Sequence, residues 1–214
     1  MDWDIHEENG LILGMQGSGK TYLTQQFLDA IPNVPRLIIS PRNPIRHFGR
    51  YGVPIRQITQ IQDNRAMLWL GKNDIPTHMK ICKHVMDECS NMVIITDDAH
   101  EFASKQKISE EWATLINSGR NQGVTSIFIS PAPNLLHNIL LQSSAWLCSF
   151  RFMLESQIEY AQKNFFGDAA YSLMPMAYRP RRYEYLPAME KHDFLYRHVE
   201  HLSLIHISEP TRPY

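Results

Sequence analysis

Gly14-Met15-Gln16-Gly17-Ser18-Gly19-Lys20-Thr21 satisfies GxxxxGK[ST] at every fixed position, between the apolar run Leu11-Ile12-Leu13 and an amphipathic stretch that opens at Thr21. Strand, glycine-rich turn and helix in that order are what a phosphate-binding loop needs. Glycines let the backbone turn through conformations a side chain would block, so that successive N–H groups face phosphate oxygens. Lys20 is then placed to reach β- and γ-phosphates, Thr21 Oγ1 to ligate Mg2+, and the helix to turn its positive end toward the anion. Gly14, Met15, Gln16, Gly17, Ser18, Gly19, Lys20 and Thr21 are therefore the candidate nucleotide contacts, with ATP and Mg2+ as the expected ligands.

Outward from the loop, short apolar runs alternate with longer amphipathic ones, the signature of βαβ units and a mostly parallel sheet flanked by helices: an α/β fold. Leu23, Phe27, Leu28 and Ile31 recur at helical spacing before Pro32, predicting a helix over Thr21–Ile31. A strand over Arg36–Ser40 follows. Weak strands at Val53–Ile58 and Ala66–Leu70 mark the poorly patterned stretch 42–75. Beyond it the pattern predicts helices over Thr77–Cys89, Glu110–Ser118, Leu135–Gln142 and Ser156–Phe166, and strands over Met92–Thr96, Val124–Ser130 and Trp146–Phe150. The region of Arg179, Arg181 and Arg182, among Pro175 and Pro180, is expected to run back along the surface. Thr24 is expected on the helix surface, and His100 with Glu101 at an exposed helix start.

With 214 residues, one domain is expected. Lys plus Arg number 21 against 22 Asp plus Glu, a net charge of −1, which excludes both a basic nucleic-acid coat and an acidic tail. The 43% hydrophobic content is enough for a core and argues against disorder. Cys82, Cys89 and Cys148 have no CxxC spacing, so neither a disulfide framework nor a zinc site is implied, and a reducing compartment fits. Asp2, Asp4, Glu7 and Glu8 stand where a secretion signal would carry basic residues. Asn121–Phe150 lacks Asp, Glu, Lys and Arg, but Pro131, Pro133 and many polar residues keep it below the ~18–20 apolar residues of a membrane span, so it belongs to the core.

Met92-Val93-Ile94-Ile95-Thr96-Asp97-Asp98 is an apolar strand ending in two carboxylates. Combined with the phosphate loop it forms a Walker B arrangement. Asp97, directly at the strand end, is the expected Mg2+-linked residue beside Thr21, and Asp98 the group that orients or deprotonates an attacking water. The bland alternative is an acidic turn after a buried strand.

Three segments in order, GMQGSGKT (14–21), VIITDDAH (93–100) and SGRNQGVTSIFISPAPNLLHNILLQSSAWLCSFRF (118–152), resemble the FtsK–HerA class of P-loop translocases. Within that class the resemblance is to the genome-packaging ATPases of tailless, membrane-containing viruses, and it covers about residues 10 to 190. It implies a RecA-like P-loop ATPase core that hydrolyses ATP as a hexameric or pentameric ring and translocates double-stranded DNA. Capsid or portal-vertex proteins are the further implied partners, and the host cytoplasm or the virion the implied location. Ser130 falls where the family carries a polar sensor, often Thr-Gln; Ser130-Pro131 departs from it. Arg120 matches the family's arginine that reaches a neighbour's nucleotide, the alternative being a solvated helix-end cation. Asp98 stands where many relatives have Glu. The DNA-contacting belt is not identified by the sequence; candidates are Arg42, Arg46 and Arg50, or Arg179 with Arg181 and Arg182.

Two other classes share the loop: a small-molecule kinase, for which the Arg-rich lid is missing between the last two helices, and a filamentous-phage-type assembly ATPase, which would carry a membrane span. Leu202–Tyr214 resembles the translation of a sequencing adapter joined to a truncated gene, so the expected division is an ATPase domain over 1–201 and a non-native tail over 202–214.

Overall fold

The apolar run after Asn9 becomes strand β1 (Gly10–Leu13), and the glycine-rich turn leads into helix α1 (Lys20–Ala30), so the phosphate loop joins the two as its composition requires. The structure, a computed structural model, describes residues 7–184, 186, 189–190, 192–198 and 205–207. After α1 the chain forms β2 (Arg36–Ile39), a short α2 (Ile45–Phe48), β3 (Val53–Ile55), β4 (Ala66–Trp69) and α3 (Ile75–Glu88). β5 (Met92–Thr96), α4 (Glu110–Ser118) and β6 (Val124–Ser130) follow, then α5 (Asn138–Gln142), β7 (Trp146–Ser149), α6 (Glu155–Ala161), β8 (Phe194–His198) and β9 (Ile205–Ile207). The strands form one nine-stranded sheet ordered β3-β4-β2-β5-β6-β1-β7-β8-β9. Pairing is parallel from β3 through β7, and β8 and β9 add antiparallel at the edge.

Alternation along β1 divides the core. Ile12 faces α1 with Leu23, Phe27, Leu28, Ile95 and Ile129, whereas Leu11 and Leu13 face the α3–α4 side with Val85, Trp112, Leu115 and Phe128. Both faces are covered, which is why the central strands read as unbroken apolar runs. Side chains start the helices of one face: the Thr77 N–H donates to Asp74 Oδ1 at 2.8 Å, and the Trp112 N–H to Ser109 Oγ at 3.2 Å. α1 ends differently. Arg36, the buried first residue of β2, donates to the carbonyls of Leu28 in the last turn, Ile31 at the C-cap, and Pro32 and Val34 in the turn beyond, and so supplies donors where the helix ends.

Five sequence expectations are corrected. Thr24 is fully buried and its hydroxyl donates to the Lys20 carbonyl. Arg179 is buried rather than superficial, because the carbonyls of Ser172, Met174 and Leu186 accept from its guanidinium. The helix expected over Leu135–Gln142 is a tight 3-10 turn, Pro133–Leu135, followed by α5; the one expected over Ser156–Phe166 is α6 followed by a π-helical turn over Gln162–Phe166. The region beyond Arg179 does not stay at the surface throughout, since Phe194–His198 joins the sheet beside β7. Of the tail expected over 202–214, residues 202–204 and 208–214 lie outside the described residues.

Candidate active site

Only one strand, β6, separates the loop strand β1 from the acidic strand β5. Its register, Leu13 with Ser130 and Thr96 with Phe128, brings the three strand ends to one edge of the sheet. At an interstrand spacing of ~4.8 Å, the acidic pair lies roughly 10 Å from the start of the loop, a gap that a triphosphate and one cation can span.

The loop's backbone carries out what its glycines allow. Gly14, Gly17 and Gly19 have φ of 144°, 75° and 114°. At Gly14 a Cβ would come within 2.5 Å of Phe150 Cβ, so space as well as conformation excludes a side chain there. Gly19 occupies the N-cap position of α1, and no side chain caps that helix among the described residues, so its first N–H groups face the loop. Lys20 Nζ donates to the carbonyls of Gly14 at 2.6 Å and Met15 at 3.0 Å, curling over the loop it belongs to. Burial lowers its pKa, while Asp97 and Asp98 act in the opposite direction. The Ser18 hydroxyl is buried without a partner among the described residues. A partly desolvated ammonium, left-handed glycines and uncapped helix N–H groups fit a polyphosphate.

The acidic pair is ordered by neighbours that the sequence reading did not single out. Asp97 Oδ2 accepts from Ser40 Oγ at 3.0 Å, and Oδ1 from the Asp98 N–H at 3.1 Å. Asn73 Nδ2 in turn donates to the Ser40 carbonyl at 2.6 Å. Burial and the adjacent Asp98 raise the Asp97 pKa, and the Ser40 hydroxyl, the Asp98 N–H and Lys20 partly offset them. Such a carboxylate, short of positive charge, fits a divalent cation shared with Thr21 on the first turn of α1. Asp98 has φ 49° and ψ 45°, a left-handed conformation costing a non-glycine residue ~1–3 kcal/mol. The kink turns its carboxylate out of the strand direction, where Oδ2 lies 3.9 Å from the exposed Arg42 Nε. A signal for Ser40 was present: a polar residue at the carboxyl end of a parallel strand, where open α/β sheets bind ligands.

Ser130 is fully buried beside the loop, its carbonyl accepting from the Gly14 N–H at 3.3 Å. Its hydroxyl donates to the Ala132 carbonyl at 3.2 Å, so that proton is directed into its own turn. Arg120 lies elsewhere. It precedes β6, whose seven residues at ~3.3 Å each separate it from the Ser130 edge by roughly 20 Å. It is exposed, 3.9 Å from Glu8, and does not reach its own loop. The structure thus gathers Gly14–Thr21, Asp97, Asp98 and Ser130, and holds Arg120 apart. Of the DNA-contact candidates, Arg42, Arg46, Arg50, Arg181 and Arg182 are exposed and Arg179 is not. No helix among the described residues is long and apolar enough to cross a membrane.

No protein-family model matches the chain, and no curated protein matches it in sequence. Solved structures do match. The genome-packaging NTPase B204 of Sulfolobus turreted icosahedral virus 2, in complex with ATP-gammaS, superposes with a TM-score of 0.78 at 16% identity, over 99% of this chain and 100% of its own. VirB4 of Thermoanaerobacter pseudethanolicus gives 0.60 at 11% identity, over 96% and 90%. The pCW3 conjugation coupling protein TcpA, with ATPgS, gives 0.61 at 10% identity, over 95% of this chain and 60% of that one. The chain has the P-loop NTPase fold that its loop, its acidic strand and its mostly parallel sheet imply.

Proposed function

We propose that this protein is an ATP-hydrolysing motor of the FtsK–HerA kind that translocates double-stranded DNA, in the role of a viral genome-packaging ATPase. The observation that carries the reading is the convergence of Gly14–Thr21 with Asp97 and Asp98 across a single intervening strand. It is supported by a likeness to a genome-packaging NTPase that runs the length of both chains. Thr21 and Asp97 would hold Mg2+, which would supply charge to neutralise the triphosphate; Lys20 faces the β- and γ-oxygens, and Asp98 accepts the proton of the attacking water. Arg120, too far to serve its own loop, serves the adjacent subunit's in a hexameric or pentameric ring. Ser130 orients the loop through its backbone rather than its hydroxyl. The proposed working unit is residues 1–201, which leaves out the edge strand β9.

Translocation is tested directly by displacement of a triplex-forming oligonucleotide from duplex DNA. The proposal expects displacement with ATP and Mg2+, and none with a non-hydrolysable analogue. ATP turnover without displacement would leave an ATPase of another kind, and the kinase reading would return if phosphate appeared on a small acceptor.

A further inference from the structure

The phosphate loop has a direction. Asp97 and Asp98 lie on the β5–β6 side of β1, so the metal-bound β/γ end of a triphosphate belongs on that side and the nucleoside is directed toward the opposite flank, occupied by β7 and β8. There the segment entering β8 meets the loop. His192 Nδ1 lies 3.2 Å from the Ser18 carbonyl, to which it donates, and 3.3 Å from where a Cβ on Gly19 would stand.

This contact is built, not incidental. Asp193, the next residue, is buried; its Oδ2 accepts from the Glu190 N–H at 2.8 Å and its own N–H donates to the Glu190 carbonyl at 3.2 Å. Phe194 then packs on Phe150 with ring centroids 5.1 Å apart, and Phe150 is the floor beneath Gly14 and Gly19. The turn that carries His192 is thus tied to the loop through a tight hydrogen-bonded turn and through the core. The His192 side chain itself stays half-exposed at the mouth of the site.

We infer that His192 forms the nucleoside wall of the site: its imidazole lies against the ribose and base, so that the C-terminal segment sets nucleobase preference while the loop holds the triphosphate. The inference rests on the reading of Gly14–Thr21 as the ATP site. Its test separates the two by comparing ligands with and without a nucleoside. Titration calorimetry of the full chain with MgATP, MgGTP and magnesium tripolyphosphate is carried out on wild type, His192→Ala and His192→Gln. Loss of the ring should weaken ATP about tenfold, the size of one lost base–aromatic contact, and reduce discrimination between ATP and GTP. Tripolyphosphate should bind both variants within about twofold of wild type, since the loop is untouched. His192→Gln keeps a donor for the Ser18 carbonyl, so the selective loss should persist there even if His192→Ala loosens the loop. Equal losses for ATP and tripolyphosphate in both variants, or unchanged ATP binding, would overturn the inference. A wild type that binds neither ligand would overturn the loop reading and, with it, this one.

Discussion

Ser40, at the end of β2, donates its hydroxyl to Asp97, at the end of β5, across 3.0 Å. The hydroxyl holds Oδ2 while the Asp98 N–H holds Oδ1, so the carboxylate is fixed before any cation arrives. Ser40→Ala should therefore leave the fold intact and weaken Mg2+-dependent nucleotide binding by about 10- to 100-fold, the usual effect of losing a group that orients a metal ligand. Mg2+ titrations at fixed ATP measure it; an unchanged Mg2+ requirement would show that Asp97 needs no such support.

Asp98 and Asp97 share a turn, and the proposal gives them different tasks. Asp98→Asn should keep ATP affinity within a few fold and lower hydrolysis by about 10²–10⁴, as loss of a general base does. Parallel binding and turnover measurements distinguish the roles. A collapse of affinity would make Asp98 the metal-site residue and reverse the assignment.

The raised pKa of Asp97 has two consequences of opposite sign. An acid whose folded pKa lies above its unfolded one binds more protons when folded, so its contribution is present at low pH and is lost as pH rises through that window. Asp97→Asn should thus raise the melting temperature of the ligand-free protein at neutral pH, by about 2–4 °C per kcal/mol recovered, with the gain shrinking on acidification. In the wild type, Mg2+-dependent nucleotide binding should decline on acidification at a higher pH than an ordinary carboxylate dictates, because protonated Asp97 no longer attracts the cation. Scanning calorimetry and binding isotherms across pH check both; a destabilised Asp97→Asn protein at neutral pH would show that the carboxylate is not strained.

Arg120 stands on the far edge of the sheet from its own loop, so a catalytic role requires a neighbour. Turnover per subunit should rise with protein concentration, and mixing Arg120→Ala with Lys20→Ala protein should restore part of the activity, because one chain's intact loop then meets the other's intact arginine. Activity independent of concentration, with no rescue on mixing, would reduce Arg120 to the surface partner of Glu8.

The central strands were legible because burial on both faces leaves apolar runs bounded by polar turns: Met92–Thr96 and Val124–Ser130 fold with the limits their sequence predicts, and so does helix Glu110–Ser118. The loop and the acidic pair were legible because their chemistry is local. Ser40, Phe150 and His192 were not, since each reaches the site through strand order, and β2, β7 and β8 come together only in the folded sheet. Arg179 misled for a related reason. An arginine among prolines suggests a surface, but three carbonyls in one turn-rich segment supply the acceptors that permit its burial. Phe194–His198 was missed because it is a near-edge strand whose latter half is partly exposed, and its pairing with β7 is long-range.

The most direct test of the central claim is steady-state ATP turnover with Mg2+, with and without duplex DNA, in the wild type and in Lys20→Ala. Lys20 is the cation curled over the loop, so Lys20→Ala should abolish turnover. Duplex DNA should stimulate the wild type, and the stimulation should fade as salt screens phosphate contacts. Turnover that survives in Lys20→Ala, or that is indifferent to DNA at every salt concentration, would contradict the account.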